Sequence, residues 1–342
     1  MKKIRKILLY FLSAWILTLI IVNYFSIIEL TKFLIEKRDY DYKSNNPIPK
    51  DSEYGFLYDF VSLGLSPKNT PPEFILNEPK QYNTLQHWSK TNYYRMKFIL
   101  KYLDSIDVSY ETIQIPVRHI NQVKTSNIFV KNNNTDSIIL ITAHYDNLNK
   151  RNYQGALDNS ASVSILLNTI KKNKKILKTK NIAFLFTTGE ERGLIGAKHF
   201  VKYAKQNEIN IEKVICLDGV GRGEVSVMNN SFGRFGFKYR NWWFKEKIFT
   251  GSKFLDCPNY SPINHSVINL NKYKIKQLKP FISSTDSRVF VKNGIPTIHL
   301  TSGEITHFLK VLHTNSDKID FLHHNTLMKC ENILNDFIKN SE

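Results

Sequence analysis

Ile138-Ile139-Leu140-Ile141-Thr142-Ala143-His144-Tyr145-Asp146 decides the architecture of this chain. A short apolar run without polar alternation is what a strand covered on both faces requires. The run then breaks into an imidazole and a carboxylate. The same form recurs at Ile182-Ala-Phe-Leu-Phe186, at Val214-Ile-Cys-Leu217 and at Thr297-Ile-His-Leu300. Between these runs lie helical patterns. Ser160 to Lys172 carries Val163, Leu166, Leu167 and Ile170 on one face, and Gly193 to Lys205 suits a second helix. Strand alternating with helix predicts an α/β, three-layer sandwich around a mixed, mostly parallel sheet.

Upstream, Met96, Ile99, Leu100 and Leu103 keep a helical rhythm from about Gln86, and Tyr110–Pro116 and Asn127–Val130 read as short strands. Residues 225–280, which hold Trp242 and Trp243, break the alternation and read as an insertion of loops.

The chain has 342 residues, 42% of them hydrophobic, enough for a substantial core. Its net charge is +18, from 48 basic and 30 acidic residues. The lysines are spread along the chain rather than gathered beside stacking aromatics, so no nucleic-acid partner is expected. Cys216, Cys257 and Cys330 form no C-x-x-C pair, which argues against a zinc finger or a disulfide framework.

Ile7 to Ile28 carries no charge. As a helix at about 1.5 Å per residue it would span roughly 33 Å, enough to cross a bilayer. It exceeds the apolar core of a cleaved signal, and no small-x-small site follows. Lys2, Lys3, Arg5 and Lys6 precede it and predict an inside N-terminus. The expected order is therefore a cytoplasmic tail over 1–6, a transmembrane anchor over 7–28, a linker over 29–55 containing Pro47 and Pro49, and a domain over 56–342 outside the cytoplasm.

Three of the predicted strands run into polar clusters: His144-Tyr-Asp146 with Gly155-Ala-Leu-Asp158-Asn-Ser, Gly189-Glu190-Glu191-Arg-Gly193, and Asp218-Gly. In open α/β sheets ligands bind outside the carboxyl ends of the strands. Crowded carboxylates repel one another and resist burial, and cations resolve that conflict. Imidazole and carboxylate donors suit zinc, and a pair of zincs about 3.5–4 Å apart needs a bridging carboxylate, for which Asp158 is well placed. Asp146, two residues after His144, can take the other ring N–H of a metal-bound imidazole. Of Glu190 and Glu191, one can bind metal while the other acts as base toward metal-held water. His313 or His307 can complete the set.

These stretches, with Asn293-Gly-Ile-Pro-Thr297 and His313-Thr-Asn-Ser-Asp317, resemble the bacterial leucyl aminopeptidase and aminopeptidase Y family of di-zinc exopeptidases, in the family's order over roughly residues 85–325. The resemblance implies the zinc exopeptidase fold and hydrolysis of N-terminal peptide bonds. It implies two zincs per chain, one held by His144 and Asp218, the other by Glu191 and His313, with Asp158 bridging. It makes Glu190 the general base, has Asp146 support His144, and favours His313 over His307. One departure stands out. Ser283-Ser-Thr-Asp286-Ser-Arg288 occupies the place where many relatives read Ser-Asp-His, so Asp286 matches the aspartate and Ser287 replaces the histidine.

Other readings carry less. His299 fits a packed strand position, His199 a helix, and His323-His324 a turn or helix start. Gly219-Val-Gly221-Arg-Gly223 has Glu224 where a dinucleotide loop needs its third glycine. The chain contains neither H-E-x-x-H nor G-x-S-x-G. The competing functions are other zinc chemistry on this fold, namely glutaminyl cyclisation or carboxypeptidase action, and a non-catalytic binding ectodomain.

Overall fold

Eight strands form one mixed sheet in the computed structural model, which describes residues 43–63, 86–115, 125–131, 137–148, 153–228, 275–278 and 285–341, with positions 10, 12, 13 and 17. The tail over 1–6, most of the apolar run 7–28, residues 229–274 and Cys257 lie outside the described residues. Among the described residues no helix is long and apolar enough to cross a membrane.

The strands are β1 (Glu111–Gln114), β2 (Ser126–Val130), β3 (Ser137–His144), β4 (Ile182–Thr187), β5 (Asn210–Leu217), β6 (Val225–Met228), β7 (Lys276–Leu278) and β8 (Thr297–Ser302). The helices are α1 (Leu57–Ser62), α2 (Gln86–Ser105), α3 (Ala161–Asn173), α4 (Ile195–Gln206), α5 (Ser287–Lys292), α6 (Ile305–Val311) and α7 (His324–Asn340). The sheet order is β1-β2-β4-β3-β5-β8-β6-β7. The central four, β4-β3-β5-β8, are parallel, while β1, β2 and the β6–β8 pairing are antiparallel.

Side chains of the central strands alternate between two cores, as the two-residue period of a strand dictates. On β3, Ile139, Ile141 and Ala143 enter the larger core with residues of α1, α2, α3 and α7, while Ile138 and Leu140 enter the smaller one with residues of α4 and α5. Strand β4 divides likewise, Ile182, Phe184 and Phe186 to one side and Ala183 and Leu185 to the other. This double burial is why the strands read as unbroken apolar runs.

Two expectations need correction. The stretch 225–280 is not all loop. Its described ends are strands β6 and β7, which pair with each other and extend the sheet from β8. Nor is the stretch before residue 56 a free linker. From residue 44 it packs on the domain, with Ile48 and Tyr54 buried. The Ser44 amide donates to the Asp320 carbonyl (2.7 Å) and the Tyr54 hydroxyl to Glu331 Oε2 (2.5 Å). Its polar, proline-bearing composition concealed two buried anchors.

Candidate metal centre

The four central strands end on the same edge of the sheet, and the polar segments that follow them converge there. His144 is the last residue of β3, Asp218 follows β5 directly, and Glu190 and Glu191 lie in the turn between β4 and α4. Asp158 comes from the turn before α3. That turn depends on Gly155 at φ +58°, where a Cβ would lie 2.7 Å from the Asp158 carbonyl oxygen. His313 arrives from the segment after α6.

The five residues expected as ligands fall into two sets of three. His144, Asp158 and Asp218 form one, and Asp158, Glu191 and His313 the other, with the donor atoms of each set within 4.8 Å of one another. His144 Nε2 lies 3.1 Å from Asp158 Oδ1 and 3.7 Å from Asp218 Oδ1. His313 Nε2 lies 3.3 Å from Asp158 Oδ2 and 3.2 Å from Glu191 Oε2. Asp158 thus turns one oxygen toward each set. His307 is elsewhere, its Nδ1 2.6 Å from Glu304 Oε2.

Cations suit these sets. Without them, burial together with Asp158 pushes Glu191 up to about 7, and burial pushes Glu190 well above the usual range. His313 is raised to about 10 by its hydrogen bonds to Asp158 and Glu191. Burial works against a charged His144, yet Asp146, Asp158 and Asp218 outweigh it and raise the ring well above the ordinary imidazole range. Burial would also raise Asp158, but the two imidazoles keep it below the ordinary carboxylate range. Protons therefore sit where a dication would be held, and Glu191 Oε1 is buried with no hydrogen-bond partner among the described residues. Metal binding at such sites releases protons and satisfies such atoms.

The supporting contacts differ from the expected ones. His144 Nδ1 lies 3.2 Å from the Asp146 carbonyl oxygen and 3.6 Å from its carboxylate. The Asp146 carboxylate instead accepts the backbone N–H groups of Glu190 (3.1 Å) and Glu191 (3.2 Å). Three further residues had no assigned role in the sequence. Asn159 donates to the Leu217 carbonyl (2.9 Å) and accepts the Gly219 N–H (3.2 Å), bracketing Asp218. Asp317 accepts the N–H groups of Leu157 (2.6 Å) and Asp158 (3.1 Å). Arg95, wholly buried on α2, donates to the Tyr145 carbonyl (2.5 Å) and to Ser160 Oγ (2.9 Å). A lone arginine among the apolar positions of α2 was the available sign. Asp286 is also buried. Its Oδ2 accepts the Thr187 hydroxyl (2.5 Å), and burial pushes the carboxyl up to about 7.

The model of peptidase family M28 matches residues 127–338, more than half the chain, and takes in both donor sets and every supporting residue just described except Arg95. The chain belongs to peptidase family M28. Within this M28 chain, a stretch of 92 residues is 34% identical to aminopeptidase YwaD of Bacillus subtilis, covering 27% of this chain and 20% of that protein. A stretch of 108 residues is 30% identical to a vacuolar membrane protease of Vanderwaltozyma polyspora, covering 31% of this chain and 11% of that one. The matched stretches thus span a fifth or less of these relatives. Among solved structures, the LapA aminopeptidase of Legionella pneumophila superposes with a TM-score of 0.54 at 17% identity, over 86% of this chain and 73% of that one. A glutaminyl cyclase of Porphyromonas gingivalis gives 0.54 at 16%, over 88% and 99%. Both likenesses speak to the fold.

Proposed function

We propose that this M28 protein is a di-zinc aminopeptidase that hydrolyses N-terminal peptide bonds. The observation that carries the reading is Asp158, whose two carboxylate oxygens face separate three-residue donor sets. His144 and Asp218 would hold one zinc, Glu191 and His313 the other, and Asp158 both. When bound, the pair supplies Lewis acidity toward a peptide carbonyl and a water. Glu190 belongs to neither donor set and lies within the electrostatic reach of His144, Asp218 and Asp158. It takes a proton from the attacking water and delivers it to the leaving amine. Asp146 positions Glu190 by accepting its backbone N–H. Burial and the neighbouring carboxylates raise Glu190 above the ordinary carboxylate range, which strengthens it as a proton acceptor.

The fold alone does not separate aminopeptidase from glutaminyl cyclase, since both superpose equally well. Two complete donor sets and the local identity to an aminopeptidase favour hydrolysis. Metal content per chain, with rates on aminoacyl anilides and on peptides beginning with glutamine, distinguishes them. Glu190→Gln should retain about two zincs and lose most anilide hydrolysis. Full activity in that variant would overturn the mechanism.

We further propose that residues 7–28 anchor the domain on the extracytoplasmic face. Their uncharged apolar sequence supports this, as does the membrane in the name of the Vanderwaltozyma polyspora relative. Resistance to alkaline extraction from membranes, with protease accessibility of the domain in intact cells, tests the anchor and its direction.

A further inference from the structure

Asp218 sits at a junction where almost every backbone group is held. Its N–H donates to the Leu300 carbonyl (3.1 Å), and the Gly219 carbonyl accepts from the Ser302 hydroxyl (2.6 Å) and amide (3.1 Å). Asn159 takes the Leu217 carbonyl and the Gly219 N–H. The Asp218 carbonyl remains. It is buried, lies beyond the end of β5, and needs a donor. Among the described residues that donor is His299 on β8, 1% exposed, whose Nε2 lies 3.4 Å from it.

A carbonyl only accepts, so Nε2 carries the proton and Nδ1 presents a lone pair. Thr285 Oγ1 lies 3.4 Å from Nδ1 and 2.7 Å from Ser287 Oγ. With Nδ1 accepting, Thr285 donates to the ring, which leaves its oxygen free to accept the Ser287 hydroxyl proton. Every proton in the series Ser287, Thr285, His299, Asp218 then points one way. The imidazole near this edge of the site comes from β8.

We propose that His299 is a positioning residue for the metal centre. It fixes the peptide plane of Asp218, and thereby the direction of the carboxylate, while Thr285 and Ser287 hold its tautomer. The inference rests on the di-zinc reading, under which Asp218 is a ligand of one zinc only. Residues that orient metal ligands typically change affinity by 10- to 100-fold.

The test is calorimetric zinc titration of the full chain after chelator stripping, in wild type, His299→Phe, His299→Gln and Thr285→Val. Phe fills the space without a donor, whereas Gln keeps a side-chain N–H. His299→Phe should weaken one of the two zincs by about tenfold or more and leave the other within about twofold. His299→Gln should recover part of that loss, and Thr285→Val should show a smaller effect on the same site. If His299→Phe only lowers Tm and binds both zincs as wild type does, His299 is a packing residue and the inference fails. If that variant does not fold, unchanged zinc affinity in Thr285→Val overturns it. A wild type that binds no zinc sinks the metallopeptidase reading itself, whatever the variants do.

Discussion

Asp317 accepts the backbone N–H of Asp158 at 3.1 Å across 159 residues of sequence. Its other oxygen takes the N–H of Leu157 at 2.6 Å. Asp146 does the same for Glu190 and Glu191. Each candidate histidine ligand is thus followed closely by an aspartate that grips the backbone of a different ligand loop. The four loops are locked in pairs, with Asp146 joining β3 to the β4 turn and Asp317 joining the C-terminal segment to the turn before α3. Neither aspartate needs to touch a metal to matter.

Asp317→Asn follows directly. The amide keeps the volume but offers one acceptor oxygen for two N–H donors, so the Asp158 turn loosens. Zinc affinity should fall by about tenfold, in line with substitutions that disturb ligand orientation. At saturating zinc most of kcat should return, because no reacting group is removed. Chelator competition followed by rates at excess zinc checks both parts. A loss of kcat that excess zinc does not relieve would mean that Asp317 acts on the chemistry itself.

Asp146→Asn should be the more damaging of the pair. It weakens the hold on the amides of Glu190 and Glu191 and removes a charge 3.6 Å from His144 Nδ1. The base is then misplaced as well as a ligand loop. The expected result is a fall in kcat of about tenfold or more that persists at saturating zinc, since displaced catalytic groups lose rate steeply with small misplacement. Steady-state rates over a zinc series measure it.

The central strands, and the five residues that converge at their ends, are legible because each is written locally. A run such as Ile182–Phe186, short and set between helical patterns, suits a strand buried on both faces, and His144, Asp158, Glu191, Asp218 and His313 lie in short recognisable stretches. What escaped was set by approach in space. Arg95 meets Tyr145 and Ser160 across 50 and 65 residues, and Asn159 reaches Leu217 across 58. No local pattern announces such contacts. Strands β6 and β7, four and three residues long, are too short for a period to show.

Arg95 carries the largest expected stability effect. Its guanidinium is wholly buried, stacks 4.2 Å from the Phe60 ring centre and faces the field of Asp146, Asp158 and Asp317. Arg95→Met would leave the Tyr145 carbonyl without that donor and remove a buried positive charge that interacts with Asp146, Asp158 and Asp317. Removing one member of a buried charged group costs about 3–5 kcal/mol. Denaturant unfolding of the chelator-stripped protein reads the loss. The deficit should shrink when zinc is added, because the dications then oppose the same carboxylates.

Without metal, stability should decline as pH rises. Glu191, Asp286 and Asp317 are raised to about 7 in the folded chain, chiefly by burial, from ordinary values near 4. The folded state therefore binds more protons than the unfolded one between about pH 4 and 7, and that contribution is lost as pH climbs through 7. His313, raised to about 10 by Asp158 and Glu191, extends the decline from about 6.5 to 10. Zinc takes the place of those protons, so the stabilisation it adds should grow over the same range. Thermal unfolding from pH 5 to 9, with chelator and with zinc, measures both trends. A metal-free Tm that rises with pH would contradict the assigned environment of these groups.

The segment before residue 56 can be tested by truncation. Tyr54 donates to Glu331, which also meets Lys172 Nζ (2.5 Å), and the same ammonium lies 2.6 Å from Glu53. Asn168 reaches the Glu53 carbonyl (3.2 Å), and the His324 amide at the start of α7 donates to the Asn46 carbonyl (2.9 Å). A chain beginning at residue 56 would leave Glu331 Oε2 without the Tyr54 hydroxyl, keep only the Lys172 and Asn335 contacts to Oε1 among the described residues, and expose the surface under Ile48 and Tyr54. It should be less stable than one beginning at residue 43 by several kcal/mol, since each buried polar group deprived of its partner costs about 1–3 kcal/mol. Tyr54→Phe in the longer chain isolates one such bond and should cost within that range. Equal denaturant midpoints for the two truncations would return residues 43–55 to the status of a linker.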